Sequence, residues 1–438
     1  MKTPALLSVL IFCTVSLSYG QWRYTNLSSP KERMGVTTSG TKAFFAGGHD
    51  GNTTLNLVES YDVVTGSWAN TGNLIIPRQV IAGVACGSKL FFGGGANANL
   101  STVYSTVDIY DTATGQWSTG QLSVARFDIA AVSKGNKVLF AGGSNFDIVC
   151  TSVVDIYDFS TGTWSTDNLS IARGGMAAAV VGDLAVFAGG FINGGEVSSR
   201  VDIYNFATDT WSTDELSEAR VWASAVTVGN KVIIAGGMKS FPNIPSNVVD
   251  IFDASTETWS TKTPLSVPRA WISAGTVKGK AYFAGGCNVA NGGIIYDLTD
   301  IIDIYDVANE TWSTDVLFQP KMGQGLSVGN YFLVAGGNSD EGLLSLVEIL
   351  HDSTNFIPEN ANHLTVNIYP NPADQLVRIS IKDGTVFEEA SIYTHSGQLV
   401  YQGIPDDNTL DISSLQPGVY ILEVNYNNQP IRGKLVIE

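Results

Sequence analysis

Val138-Leu139-Phe140-Ala141-Gly142-Gly143, then Val153-Val154-Asp155-Ile156-Tyr157-Asp158, then Trp164, read as three successive strands of one antiparallel sheet. The first run is apolar and stops on paired glycines. The second alternates, and Phe159-Ser160-Thr161-Gly162 turns it into the tryptophan strand. Upstream, Ile129-Ala130-Ala131-Val132 and the turn Lys134-Gly135-Asn136-Lys137 supply one more strand, so the unit has four, labelled a to d. The unit recurs. Glycine pairs begin at Gly47, Gly94, Gly142, Gly189, Gly236, Gly285 and Gly336, spaced 47, 48, 47, 47, 49 and 51 residues apart. Trp22, Trp68, Trp117, Trp164, Trp211, Trp259 and Trp312 keep step with them. A period near 50 with this content defines a radial repeat of four-stranded sheets.

Each recurring residue has a physical role. The glycines end strand b where a side chain would block the neighbouring backbone. Small residues on strand a suit an inner ring where the sheets converge. Asp62, Asp111, Asp158, Asp253 and Asp306 precede tight turns whose N–H groups a carboxylate can accept. Tyr61, Tyr110, Tyr157, Tyr204 and Tyr305, with the tryptophans, fill the wider space between sheets. One buried tryptophan contributes about 4–6 kcal/mol as an upper bound. The phase of the repeat sets its closure. Trp22 precedes the first glycine pair, and the last unit ends at Leu346-Val347-Glu348-Ile349-Leu350 with no tryptophan after it. The N-terminal strand is therefore expected to complete the seventh unit and remove two exposed edges.

At this point the repeat resembles the kelch motif, over residues 21–351. The resemblance implies an all-β fold, a seven-bladed kelch β-propeller. Residues 352–363 read as a linker, and the short alternating strands beyond it as a small C-terminal β-sandwich over residues 364–438. That segment resembles the type A C-terminal sorting domain of the type IX (Por) secretion system of Bacteroidota. The residues concerned are Asn367-Ile368-Tyr369-Pro370-Asn371-Pro372, Ser396-Gly397-Gln398-Leu399-Val400, Leu415-Gln416-Pro417-Gly418-Val419-Tyr420 and the final Lys434-Leu435-Val436-Ile437-Glu438. The resemblance implies recognition of residues 364–438 by the type IX machinery, their removal, and a location outside the outer membrane, released or at the cell surface.

Lys2, the apolar residues 6–15 and Ser18-Tyr19-Gly20 read as a signal peptide over residues 1–20. The apolar run is shorter than the roughly 20 residues of a spanning helix, so no transmembrane segment is expected in the mature chain. A net charge of −17 repels nucleic acid and anionic membranes. Beyond the leader, Cys86, Cys150 and Cys287 are an odd set, expected as buried free thiols.

The segments between strands d and a repeat a base: Arg33, Arg78, Arg126, Arg173, Arg220, Arg269 and Lys321. Strand c repeats an acid: Glu59, Asp108, Asp155, Asp202, Asp250, Asp303 and Glu348. Recurrence in every unit marks structural ion pairs. Ligand-binding candidates are instead the residues that break the repeat on the face of the d–a and b–c connections. Trp222 and Trp271 lie two residues after their repeat arginines, where other units hold Gly35, Val80, Asp128, Gly175 and Gly323. With Phe127 and Asp128 across the ring, they form a stacking platform for a sugar or peptide, or else a plug filling the ring. His49 and Asp50 join them from the first b–c loop.

No catalytic residue, metal site or cofactor is expected. The copper site of galactose-oxidase-like kelch propellers needs two histidines and two tyrosines; this propeller has His49 and His351, the latter assigned to the structural tyrosine position. The expectation is a surface or secreted binder of a glycan, peptide or protein. The alternatives are a non-metal carbohydrate enzyme of the sugar epimerase or mutarotase kind, and a structural adhesion protein.

Overall fold

The computed structural model describes residues 21–240, 244–290, 295–351, 367–380, 387, 389–394, 398–426 and 429–437. The expected leader, 1–20, and the expected linker, 352–363, lie outside the described residues. The third unit follows its sequence reading closely. Its strands are Ala130–Lys134, Lys137–Ala141, Val153–Asp158 and Thr163–Asn168, hydrogen-bonded in that order. Tyr157 stands directly opposite Trp164. Seven sheets of this type occur among the described residues. The seventh is made of Met322–Val328, Tyr331–Ser339 and Leu346–His351, and the N-terminal strand Gln21–Asn26 pairs with its outer side, Trp22 opposite Leu350.

The sheets form a closed ring. Strand a of each sheet touches strand a of the next, and that of the seventh touches that of the first. The contact is close: a Cβ on Gly83 would meet the Val36 carbonyl oxygen at 2.5 Å. Hydrogen bonds repeat the same cycle. The second glycine of each pair donates to the carbonyl of the repeat base in the next sheet, from Gly48 to Arg78 (3.0 Å) through Gly286 to Lys321 (2.9 Å) and Gly337 back to Lys31 (2.9 Å). Both glycines have left-handed φ, such as 62° at Gly47 and 102° at Gly48, and a Cβ on Gly47 would meet the Arg78 carbonyl oxygen at 2.6 Å.

The outer seams are aromatic. Tyr61 and Trp68 lie 5.0 Å apart and share a core with Leu333 and Val347 of the seventh sheet. Indole nitrogens reach the preceding sheet, as Trp211 Nε1 does at Asp167 Oδ2 (2.8 Å). The turn aspartates do what their position suggested: Asp158 Oδ1 accepts the Ser160 N–H at 2.8 Å.

The C-terminal unit is a sandwich of two sheets. Asn367–Tyr369, Leu376–Ser380 and Thr409–Asp411 form one, and Leu399–Gly403, Ala390–Thr394, Gly418–Tyr426 and Gln429–Ile437 the other. Val377, Ile379, Ile392, Leu410, Leu422 and Leu435 fill the space between them. The short strand Thr409–Asp411 lies between the alternating strands that the sequence showed.

Candidate functional site

The repeat base organises everything near the mouth of the ring. Arg126 is fully buried. Its Nε donates to the Gly142 carbonyl (2.6 Å), its Nη1 to Val124 (2.8 Å), and its Nη2 to Phe140 (3.1 Å) and to Asp155 Oδ2 (2.8 Å). The other oxygen of Asp155 accepts the Ser123 N–H at 2.8 Å. Burial pulls the Arg126 pKa below its ordinary value, and the Asp155 charge opposes that shift. Arg78, Arg173, Arg220 and Arg269 pair in the same way with Asp108, Asp202, Asp250 and Asp303.

The base of the first sheet is Lys31, buried and paired with Glu59 at 2.5 Å, and not Arg33. Arg126 bonds to a glycine 16 residues downstream, and Lys31 stands at that same distance before Gly47. Arg33 therefore takes the mouth position that had been given to Gly35. The ring of mouth residues reads Arg33, Val80, Asp128, Gly175, Trp222, Trp271 and Gly323. Five are non-glycine residues with φ between 51° and 55°. Such a backbone costs about 1–3 kcal/mol per residue and persists where its surroundings enforce it. Here the enforcement is visible. The preceding residue bridges to the b–c loop, as Phe127 does to Ser144 and Val221 to Met238. The mouth residues also bond to one another: Val80 N–H to the Arg33 carbonyl (2.9 Å), Gly175 to Asp128 (3.1 Å) and Trp222 to Gly175 (3.0 Å).

Trp222 and Trp271 stack with ring centroids 4.8 Å apart and planes at 28°. Trp222 lies over Gly175, where a Cβ would stand 2.9 Å from its Nε1, so the glycine makes room for the indole. Phe191 meets Trp222 edge-on at 6.2 Å. Beneath the pair lies a buried cluster of Cys150, Phe191, Val221, Met238 and Ala270. Beside it rise the hairpins Met238–Ser240 with Ile244–Pro245 and Cys287–Ala290 with Ile295–Leu298. Both tryptophans remain partly exposed.

Asp128 follows Gly175 around the ring. Burial pushes its carboxyl up to about 6, and the Arg33 charge acts against that rise. The folded state thus holds the proton more tightly than the unfolded chain, whose value is 3.8. Stability present below pH 3.8 falls as pH rises towards about 6 and is level above it. A series of melting temperatures should show this fall, and Asp128→Asn should flatten it. An unchanged slope in the variant would remove Asp128 from the account.

The other expected residues are placed differently. Phe127 is half-buried behind the mouth and bridges to Ser144. His49 bridges Glu32 and Thr54, and its Nδ1 accepts the Gly51 N–H at 3.1 Å. Asp50 spends one oxygen on the N–H groups of Asn52 (2.9 Å) and Thr53 (2.7 Å), bonds that hold its pKa below the usual carboxylate value. His351 pairs with Tyr331 across the strands and stacks on it at 4.4 Å; Leu350, not His351, holds the tyrosine position. Cys86, Cys150 and Cys287 are buried free thiols, and burial raises Cys150 to about 11 and Cys287 to about 12, so both are protonated at neutral pH. Among the described residues, no group of three or more metal-binding side chains converges, and no helix is long and apolar enough to cross a membrane.

A ring of four-stranded sheets, each with a buried base–acid pair behind paired glycines, defines a kelch-type β-propeller. The family comparison agrees: kelch motifs match at residues 30–74, 125–166, 172–213 and 219–266, and a secretion system C-terminal sorting domain matches at residues 367–438. The chain is a kelch-repeat protein with a sorting domain, which implies type IX secretion and supports a secreted or cell-surface location. No curated protein matches it. Among solved structures it is similar to one titled "Structure of YjhT", at 17% identity and a TM-score of 0.49, over 64% of this chain and 94% of that one.

Proposed function

We propose that this chain is an exported binding module of a Bacteroidota cell, with a seven-bladed propeller at residues 21–351 as its working part. Residues 1–20 serve as the signal peptide, 352–363 as the linker, and 364–438 as a removable address for the type IX machinery. The propeller binds a glycan, peptide or protein at the mouth of its loop face. The observation behind this reading is the stacked Trp222–Trp271 pair in one ring with Asp128 and Arg33. Two indoles offer an apolar face for a sugar or side chain, and the acid and base orient polar groups beside it.

The test is a thermal-shift screen of the chain from Gln21 onwards against a panel of glycans and peptides, with the Trp222→Ala/Trp271→Ala double variant beside it. A ligand at about 100 times its Kd stabilises the folded state by about 2.7 kcal/mol. That shift should disappear in the double variant. A shift that survives in it places binding elsewhere and makes the pair a plug. Asp128 also supports a second reading, a non-metal sugar-isomerising enzyme, because a carboxyl near 6 exchanges protons at neutral pH. In that case Asp128→Asn keeps the thermal shift and loses turnover.

A further inference from the structure

At the ends of the sheets opposite the mouth, strand b begins with lysine and strand c ends with aspartate in five sheets: Lys42 opposite Asp62, Lys89 opposite Asp111, Lys137 opposite Asp158, Lys231 opposite Asp253 and Lys280 opposite Asp306. The lysine also serves the next sheet. Lys89 lies over the Tyr157 ring at 5.9 Å. Lys137 reaches the Tyr204 hydroxyl at 3.4 Å and pairs with Asp209.

The fourth sheet lacks both members of this pair. Leu184 stands where the lysine would be, opposite Asn205. Across the seam, Phe252 replaces the recurrent tyrosine and shares a buried cluster with Leu184. The acid across the seam persists. Glu257 occupies in the fifth sheet the turn position that Asp209 occupies in the fourth, at φ 54°, where the first three sheets place Gly66, Gly115 and Gly162. Leu184 thus fills the register position from which Lys137 meets Asp209.

A cleft of about 170 Å³ lies at this seam. Leu184, Ile203 and Phe252 form its floor, and Thr210, Asp214 and Glu257 its exposed rim. A second irregularity sits in the same seam. Trp259 packs with Leu184 and Phe252, and its buried Nε1 has no hydrogen-bond acceptor. The equivalent Trp211 donates to Asp167. Asp214, which holds the Asp167 position, lines the cleft; like Asp167 with Asn168, it accepts the N–H of the residue after it, from Glu215 at 2.8 Å.

We propose that this cleft binds a primary alkylammonium group, its nitrogen between Asp214 and Glu257 and its methylene chain on Leu184, Ile203 and Phe252. The ligand supplies the ammonium that Lys137 supplies one seam earlier. A lysine side chain of a polypeptide and a free diamine share this chemistry.

The experiment is a methyl-labelled NMR titration of the chain from Gln21 onwards with N-acetyl-lysine N-methylamide, its norleucine analogue and 1,5-diaminopentane. The lysine derivative should give saturable shifts at the Leu184 and Ile203 methyls, and the norleucine analogue none. Tighter binding of the lysine derivative than of the diamine assigns a polypeptide source, and the reverse a free amine. Glu257→Gln should weaken binding by about fivefold, and Leu184→Lys should abolish it while raising the melting temperature, because the chain then fills its own site. Glu257→Gly, which copies the first three sheets, must weaken binding too. No saturable shift up to the solubility limit, an equal response to norleucine, or unchanged affinity in the Glu257 variants would overturn the proposal. None of these readouts involves Trp222 or Trp271, so failure here leaves the mouth reading untouched.

Discussion

Gly236→Ala is expected to lower the stability of the propeller by about 2–4 kcal/mol, from left-handed strain and a backbone clash together. Gly236 has φ 66°, which costs a residue with a Cβ about 1 kcal/mol or more. The new Cβ would stand 2.6 Å from the Arg269 carbonyl oxygen and 2.5 Å from Cδ1 of Ile272. The side chain can move; the carbonyl cannot. It is the same carbonyl that accepts the Gly237 N–H at 3.0 Å, the bond joining the fifth sheet to the sixth. The methyl group therefore wedges open a link of the ring. Alanine at Gly229, which has φ 58° and open space around it, carries the strain without the clash. Chemical denaturation of both variants separates the two contributions. Equal losses would mean that the close approach is not what requires glycine at 236.

The fold was legible because its period is the structural unit itself. Gly142-Gly143, Val153 to Asp158 and Trp164 each perform one geometric task, and the task recurs in each sheet. The early phase of Trp22 foretold its pairing opposite Leu350, since a chain that begins on strand d must find its sheet at the far end. The pairing of Arg126 with Asp155 followed from recurrence in the same way. The mouth was only half legible. Trp222 and Trp271 stood out by breaking the repeat, but Arg33 did not, because Lys31 lies two residues away and residue type alone cannot tell which base is buried. The constant distance to the glycine pair does tell them apart. The service of Gly175 to Trp222 could not be read at all, since it is a contact between neighbouring sheets. Asp50 looked like a loop ligand, yet a carboxylate two residues before free N–H groups turns to them first. Leu184 carries no mark in the sequence by itself, since its position gains meaning only in register with Lys137 and the lysines of the other sheets.

Arg126→Met should cost about 3–5 kcal/mol, because it leaves Asp155 buried without its partner. Both residues are at most 2% exposed, and the arginine also satisfies the carbonyls of Val124, Phe140 and Gly142. Arg126→Lys should recover only part of this. An ammonium is shorter than a guanidinium and cannot fork across three carbonyls and a carboxylate. The protein already contains the remedy. Where the base is lysine, the acid is one methylene longer: Lys31 with Glu59, and Lys321 with Glu348 at 3.0 Å. The longer acid keeps its second task as well, since Glu348 Oε2 accepts the Phe318 N–H at 2.7 Å as Asp155 Oδ1 accepts that of Ser123. Reach across the pair is thus held constant while the residues change. The double variant Arg126→Lys/Asp155→Glu should therefore be more stable than either single variant, a coupling that a double-mutant cycle measures directly. Denaturant midpoints with an unchanged slope provide the four corners of the cycle. Additive losses would mean that the lysine–glutamate pairs of the first and seventh sheets depend on their own surroundings and are not a transferable substitute for arginine–aspartate.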